Sequence, residues 1–317
     1  MRLTVFDCED DEASVFRSLS PRFHIEADIT RLPVRQYSIQ RNLHSSCISV
    51  GHKSRITASD LKALRTAGVS CIITRSIGTD HIDTDAAARL GITIQNTPYA
   101  PDGVAEYTVM LILMAIRGIR PVLLRTAQND WRLNTGRGKE LRDMTVGIIG
   151  AGRIGRAVAE RLSSFGCRIL LCDADDKADC VPMCDLLQES DIVTLHAPLT
   201  VETYHMIGRQ QLHLVKHGAF FINTARGALI DTAELIFALK DGRIGGAALD
   251  VLEEEEGIFY SDHPPKAACH PFLAELCAMP NVLITPHTAY YTDRVLYDTV
   301  EKTLADCLNF ERRQNHE

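Results

Sequence analysis

The stretch Thr145–Asp175, TVGIIGAGRIGRAVAERLSSFGCRILLCDAD, decides the fold. It opens as an apolar strand, passes through Gly150, Gly152 and Gly155 in the order GxGxxG, and runs on with helical spacing to Gly166. A second apolar run, RILLCD, ends on Asp173, 23 residues after Gly150. Such a glycine triplet is a weak signal alone and a strong one when strand, helix and acid stand in register with it. The glycines permit a tight turn and close backbone approach, and the start of the helix offers N–H groups to a pyrophosphate. Asp173 is placed to accept hydrogen bonds from an adenosine ribose and to repel a 2′-phosphate, so the expected cofactor is NAD rather than NADP.

Outward from this turn, strand-like runs alternate with helical patterns in both directions. IVTLHAP, AFFINTA, GGAALDV and VLITPH follow it; RLTVF, CISVG, CIITRS and ITIQN precede it. ITASDLKALRTAG and IDTDAAARLG read as capped helices ended by glycine. The alternation implies an α/β protein with parallel sheets and helices on their faces. At 317 residues the chain exceeds the usual single domain, and TPYAPDG, residues 97–103, marks a boundary before a long apolar helix with Asp102 as its possible cap. The closing segment DRVLYDTVEKTLADCLNFERR reads as a helix returning to the first domain. The expected organisation is residues 1–100 plus 288–317 as a substrate domain and 101–287 as a dinucleotide-binding domain, with a cleft between them.

Composition narrows the partners. A formal net charge of −7 and a pI near 5.9 disfavour nucleic acid and anionic membranes. The apolar run VMLILMAI, residues 109–116, is far shorter than the ~20 residues a membrane span requires. MRLTVFDCEDDEA turns acidic where a secretory signal would stay apolar, so a cytoplasmic enzyme is expected. Ten cysteines without a CxxC pair read as reduced thiols. Neither Cys180/Cys184 nor His263, Cys269, His270 and Cys277 follows a zinc spacing, so no metal is expected.

Three strand ends carry further chemistry. FINTARG supplies Arg226, GGAALDVLEEEE a carboxylate run, and VLITPHTAYY supplies His287. The carboxyl ends of strands are where an open α/β sheet binds its ligands. With these segments, GAGRIG, the loop RSIGTDHID and the run HAPLTVET, the chain resembles the D-isomer-specific 2-hydroxyacid dehydrogenases over essentially its whole length. CISVGHKS, AYYT and NFERRQNHE are similar to the D-lactate-forming branch that serves vancomycin resistance in the cell wall.

The resemblance implies two doubly wound domains, one Rossmann and NAD-binding, one flavodoxin-like and substrate-binding. It further implies a homodimer and reduction of a small 2-keto acid, pyruvate above all. Arg226, Glu255 and His287 match the catalytic positions. Glu255 is selected because it lies five residues beyond Asp250, which leaves Glu253, Glu254 and Glu256 as a solvated face. Matching cofactor positions are Gly150, Gly152, Arg153, Ile154, Gly155, Asp173, Ala197, Pro198, Thr203, Thr224, Ala225, Arg226 and Asp250. For substrate they are Ile77 and Gly78 through their backbone, with Tyr99, Arg226 and Tyr290. The chemistry needs these residue types: an imidazole beside a carboxylate is favoured in its charged form and can protonate the carbonyl oxygen, while a guanidinium forks onto the anion. A different 2-keto acid, or an NAD-sensing corepressor role without catalysis, is compatible with the same motifs.

Overall fold

The computed structural model describes residues 1–36, 43, 45–133, 136–175, 179–260, 267 and 269–314. The chain forms two compact units, Met1–Ala100 with Tyr291–Glu317, and Pro101–Tyr290.

In the first unit, strands β1 (Arg2–Val5), β2 (Glu26–Ile29), β3 (Cys47–Val50), β4 (Cys71–Thr74) and β5 (Thr93–Asn96) form one parallel sheet in the order β2-β1-β3-β4-β5. That order is the flavodoxin-like one. CISV and CIIT are buried at every position, as central strands covered on both faces must be. Side chains alternate between faces. Leu3, Val5, Cys47, Cys71 and Ile73 pack on Phe16 of the helix Asp10–Leu19 and on Val300, Leu304 and Phe310 of the helix Asp293–Gln314. Ile48, Val50 and Ile72 pack on the helices Ala58–Thr66 and Thr84–Arg89. The backbone N–H of Thr57 donates to Asp60 at 2.8 Å and Asp83 accepts from Ala86 N at 2.9 Å, so each of these two helices starts on the kind of cap its sequence suggests.

Strand β2, EADI, has no counterpart among the strand-like runs. Its positions alternate exposed and half-buried, and two of its four residues are acidic. It is an edge strand whose pairing comes from β1, with Arg2 against Glu26 at 3.1 Å.

In the second unit, β6 (Thr145–Ile149), β7 (Arg168–Cys172), β8 (Ile192–Leu195), β9 (Ala219–Asn223), β10 (Ile244–Leu249) and β11 (Val282–Ile284) are parallel in the order β11-β10-β9-β8-β6-β7. Cys180 adds a single bridge to Leu171 on the outer side of β7. Counting that bridge as a vestigial third strand, the order is the Rossmann 3-2-1-4-5-6 with β11 added as a seventh strand beyond β10, and the switch point lies between β6 and β8. One face is covered by the helices Asp102–Ile116 and Arg153–Ser163, and the other by a larger core that includes Phe221, Leu235, Leu239 and Leu276. Asp102 does not cap its helix. Pro101 holds the cap position, and Asp102 is the first helical residue, paired with Arg161 at 2.6 Å. Among the described residues no single helix is long and apolar enough to cross a membrane.

Candidate active site

The dinucleotide turn follows β6. Gly150 takes a φ of +98°, open to glycine at little cost, and its N–H donates to Cys172 O at 2.8 Å. A Cβ on Gly155 would stand 2.0 Å from Gly150 O, so only glycine lets the helix approach the turn. At Gly152 nothing lies within 4 Å of a Cβ position. Open space over a helix start whose turn is closed beneath it is the shape a pyrophosphate needs, so these residues fit a dinucleotide. Arg153 and Ile154 open the helix. Asp173 follows β7, its carboxylate accepting Asp175 N at 3.2 Å. Ala197, Pro198 and Thr203 leave β8, Thr203 being fixed by its bond to Pro198 O at 2.7 Å. Thr224 and Ala225 leave β9, and Asp250 leaves β10. The cofactor-matching residues thus share the carboxyl edge of one sheet.

The same edge carries the polar residues of the expected triad. Glu255 accepts Leu252 N at Oε2, 2.8 Å, and meets His287 Nδ1 at Oε1, 2.5 Å. His287 has a φ of +52°, strained for a residue with a Cβ, and is held there from both sides. Its N–H donates to Asp250 O at 2.7 Å, and its carbonyl accepts from the Tyr260 hydroxyl at 2.7 Å. Asp250 is fully buried. Its carboxylate accepts from Thr285 Oγ1 at 2.6 Å and from the N–H groups of Thr288 and Ala289 at 2.9 Å each, which ties residues 285–289 to the end of β10. Burial raises its carboxyl above the ordinary range, opposed by these donors and by His287. Asp250 therefore serves chiefly as the anchor of the His287 segment. Tyr290 stands edge-on to His287, ring centroids 6.2 Å apart. Partly buried His196, beside the dinucleotide turn, is pushed down to about 3 by desolvation, which favours its neutral form.

Arg226 follows β9, with Nη1 on Ala225 O at 2.7 Å and its own carbonyl held by Asn223 Nδ2 at 2.8 Å. The next residue, Gly227, lies against the peptide joining Leu252 to Glu253, where a Cβ would come within 2.0 Å of Leu252 C. Arg226 and Glu255 are therefore carried by segments in contact.

The first unit holds the remaining expected residues. In the loop after β4, Ser76 O accepts from Thr97 N at 3.2 Å, Ile77 O from Asn96 Nδ2 at 2.7 Å and Gly78 O from Ser76 Oγ at 2.7 Å. Every carbonyl of the turn is engaged. The N–H groups of Ile77 and Gly78 have no partner among the described residues, which suits an anion. Tyr99 follows β5. Beneath the loop Arg75, its side chain 2% exposed, forks onto Glu12 at 2.7 and 3.1 Å and donates to Phe6 O and Ser49 Oγ.

One expectation shifts, and one residue is new. Glu253 is not on a solvated face: its side chain is 13% exposed and bonded to His205. Glu254 and Glu256 are exposed. Tyr260, absent from the sequence reading, holds the His287 carbonyl, and burial raises its phenol far above the ordinary value. Its only sequence signal is an aromatic residue after the glutamates. His263 lies outside the described residues.

Residues 109–289 match the model of the D-isomer specific 2-hydroxyacid dehydrogenase, NAD binding domain. The chain is 54% identical to a D-specific alpha-keto acid dehydrogenase of Enterococcus faecium over 99% of this chain and 98% of that one. Among solved structures it is similar to the pyruvate reductase of Chlamydomonas reinhardtii, with a TM-score of 0.89 at 30% identity over 99% and 97% of the two chains. It is likewise similar to a D-lactate dehydrogenase from Aquifex aeolicus complexed with NAD and lactic acid, with a TM-score of 0.87 at 31% identity over 99% and 96%. A nucleotide turn built for NAD, an acid-paired histidine on the same sheet edge, and these likenesses lead to one conclusion: the chain belongs to the D-isomer-specific 2-hydroxyacid dehydrogenases, NAD-dependent enzymes that reduce 2-keto acids with D specificity.

Proposed function

We propose that this enzyme reduces pyruvate to D-lactate, with His287 as proton donor, Glu255 as its partner and Arg226 binding substrate. The observation that carries this reading is the 2.5 Å contact of His287 Nδ1 with Glu255. Since Nδ1 is committed to the carboxylate, proton exchange with a substrate falls to Nε2. NADH, when bound, supplies the hydride for C2. As C2 is reduced, negative charge grows on the carbonyl oxygen, and a charged imidazole delivers a proton there. Arg226, always cationic and pinned at its backbone, stabilises the same charge and forks onto the carboxylate. By the family resemblance, Ile77 and Gly78, through their backbone, and Tyr99 and Tyr290 are assigned to substrate binding.

The resemblance to the vancomycin-resistance branch supports a purpose for the product. D-lactate joined to D-alanine gives a depsipeptide whose ester oxygen replaces an amide N–H, and the antibiotic loses a hydrogen bond and meets a lone pair instead. The enzyme works as a homodimer in this reading. Leu123, Leu124 and Trp131, at 56%, 55% and 74% exposure, place apolar surface outside the core of their unit. Sedimentation equilibrium is expected to return twice the chain mass, and a monomer mass at working concentration excludes the dimer.

Steady-state assays of pyruvate against bulkier 2-keto acids, each with NADH and with NADPH, test the reading. Pyruvate is expected to have the highest kcat/KM, and NADH to outperform NADPH because Asp173 repels the 2′-phosphate. Preference for a branched or aromatic keto acid rejects pyruvate as the substrate, and equal use of NADPH rejects the role given to Asp173.

A further inference from the structure

A second histidine–carboxylate pair stands beside the first and has no part in the steps above. His205 Nε2 meets Glu253 Oε1 at 2.6 Å. The other oxygen of Glu253 accepts Thr232 N at 3.0 Å, and its main-chain carbonyl accepts His270 Nε2 at 2.8 Å. Among the described residues, Asp231, 3.7 Å from Nδ1, and Tyr204, stacked at 4.0 Å, also stand at His205. His205 and Glu254 both take positive φ, 51° and 55°, so two strained loops meet at this pair. One is the β8 loop that carries Ala197, Pro198 and Thr203. The other is the segment that carries Glu255.

The contact has a consequence two residues on. Leu252 N–H orients Glu255, and the Leu252–Glu253 peptide that follows it is pressed by Gly227. Glu253, bonded through its side chain and its carbonyl, fixes the far end of the same peptide. We propose that His205 and Glu253 are positioning residues: by clasping the β8 loop to the glutamate segment they keep the Leu252 N–H, and through it Glu255, aligned on His287. This rests on the reading of Glu255 and His287 given above.

Parent, His205→Ala, Glu255→Gln and the double variant are assayed for kcat and KM with pyruvate and NADH. His205→Ala is expected to lower kcat about tenfold with little change in the pyruvate KM, and to cost almost nothing more once Glu255 is already glutamine, the non-additivity of residues acting through one another. His205→Gln, which can still donate to Glu253, is expected to recover most of the loss. An undiminished loss in the Glu255→Gln background, or no loss at all, overturns the clasp. Parental kcat in Glu255→Gln alone overturns instead the reading on which it rests. If His205→Ala does not fold, Glu253→Gln, equal in shape, enters the same cycle with the same expected outcomes.

Discussion

Replacing His287 by glutamine is expected to lower kcat for pyruvate reduction by about 10²–10⁴, the range a positioned general acid supplies. Glutamine can still donate an N–H toward Glu255 and leaves Asp250 its bonds to Thr285, Thr288 and Ala289, so the site keeps its shape. What it cannot do is carry a transferable proton. The loss should therefore appear in kcat, with NADH binding by fluorescence titration unchanged. A fall in cofactor affinity matching the fall in rate would mean that the substitution disturbed the nucleotide turn instead.

Arg226→Lys is expected to cost about 10²–10³ in kcat/KM, comparable to losing one donor to a developing oxyanion. The charge survives this change. What is lost is the planar fork, which reaches two oxygens at once where an ammonium serves as a point charge. The segment that presents Arg226 is rigid: Asn223 holds its carbonyl, Asn223 Oδ1 also accepts Ala225 N at 3.0 Å, and the neighbouring Gly227 is packed on the Leu252–Glu253 peptide. A lysine on that frame cannot shift to compensate. Activity within twofold of the parent would remove Arg226 from substrate binding.

Much of this was legible in the sequence because local signals and fold agree. Six apolar runs of the second half became strands β6 to β11, and the glycine turn lies where its spacing placed it. What was not legible depends on partners far apart in the chain. Strand β2 is acidic and exists because β1 pairs with it. Glu253 looked like one charge in a run, and only the fold brings it to His205, 48 residues earlier. Nothing in PHTAYY announces that His287 adopts a left-handed backbone, since that conformation is imposed by Asp250 on one side and Tyr260 on the other. The buried Arg75–Glu12 pair is equally silent, its members standing 63 positions apart in the chain.

The most direct test is a crystal structure of the enzyme with NAD and oxamate, a pyruvate analogue whose amide carbonyl stands in for the keto group. That oxygen is expected within about 3.2 Å, hydrogen-bonding distance, of both His287 Nε2 and a guanidinium nitrogen of Arg226. Oxamate bound with its carbonyl oxygen on other side chains, out of reach of His287, would contradict the assignment of the proton donor.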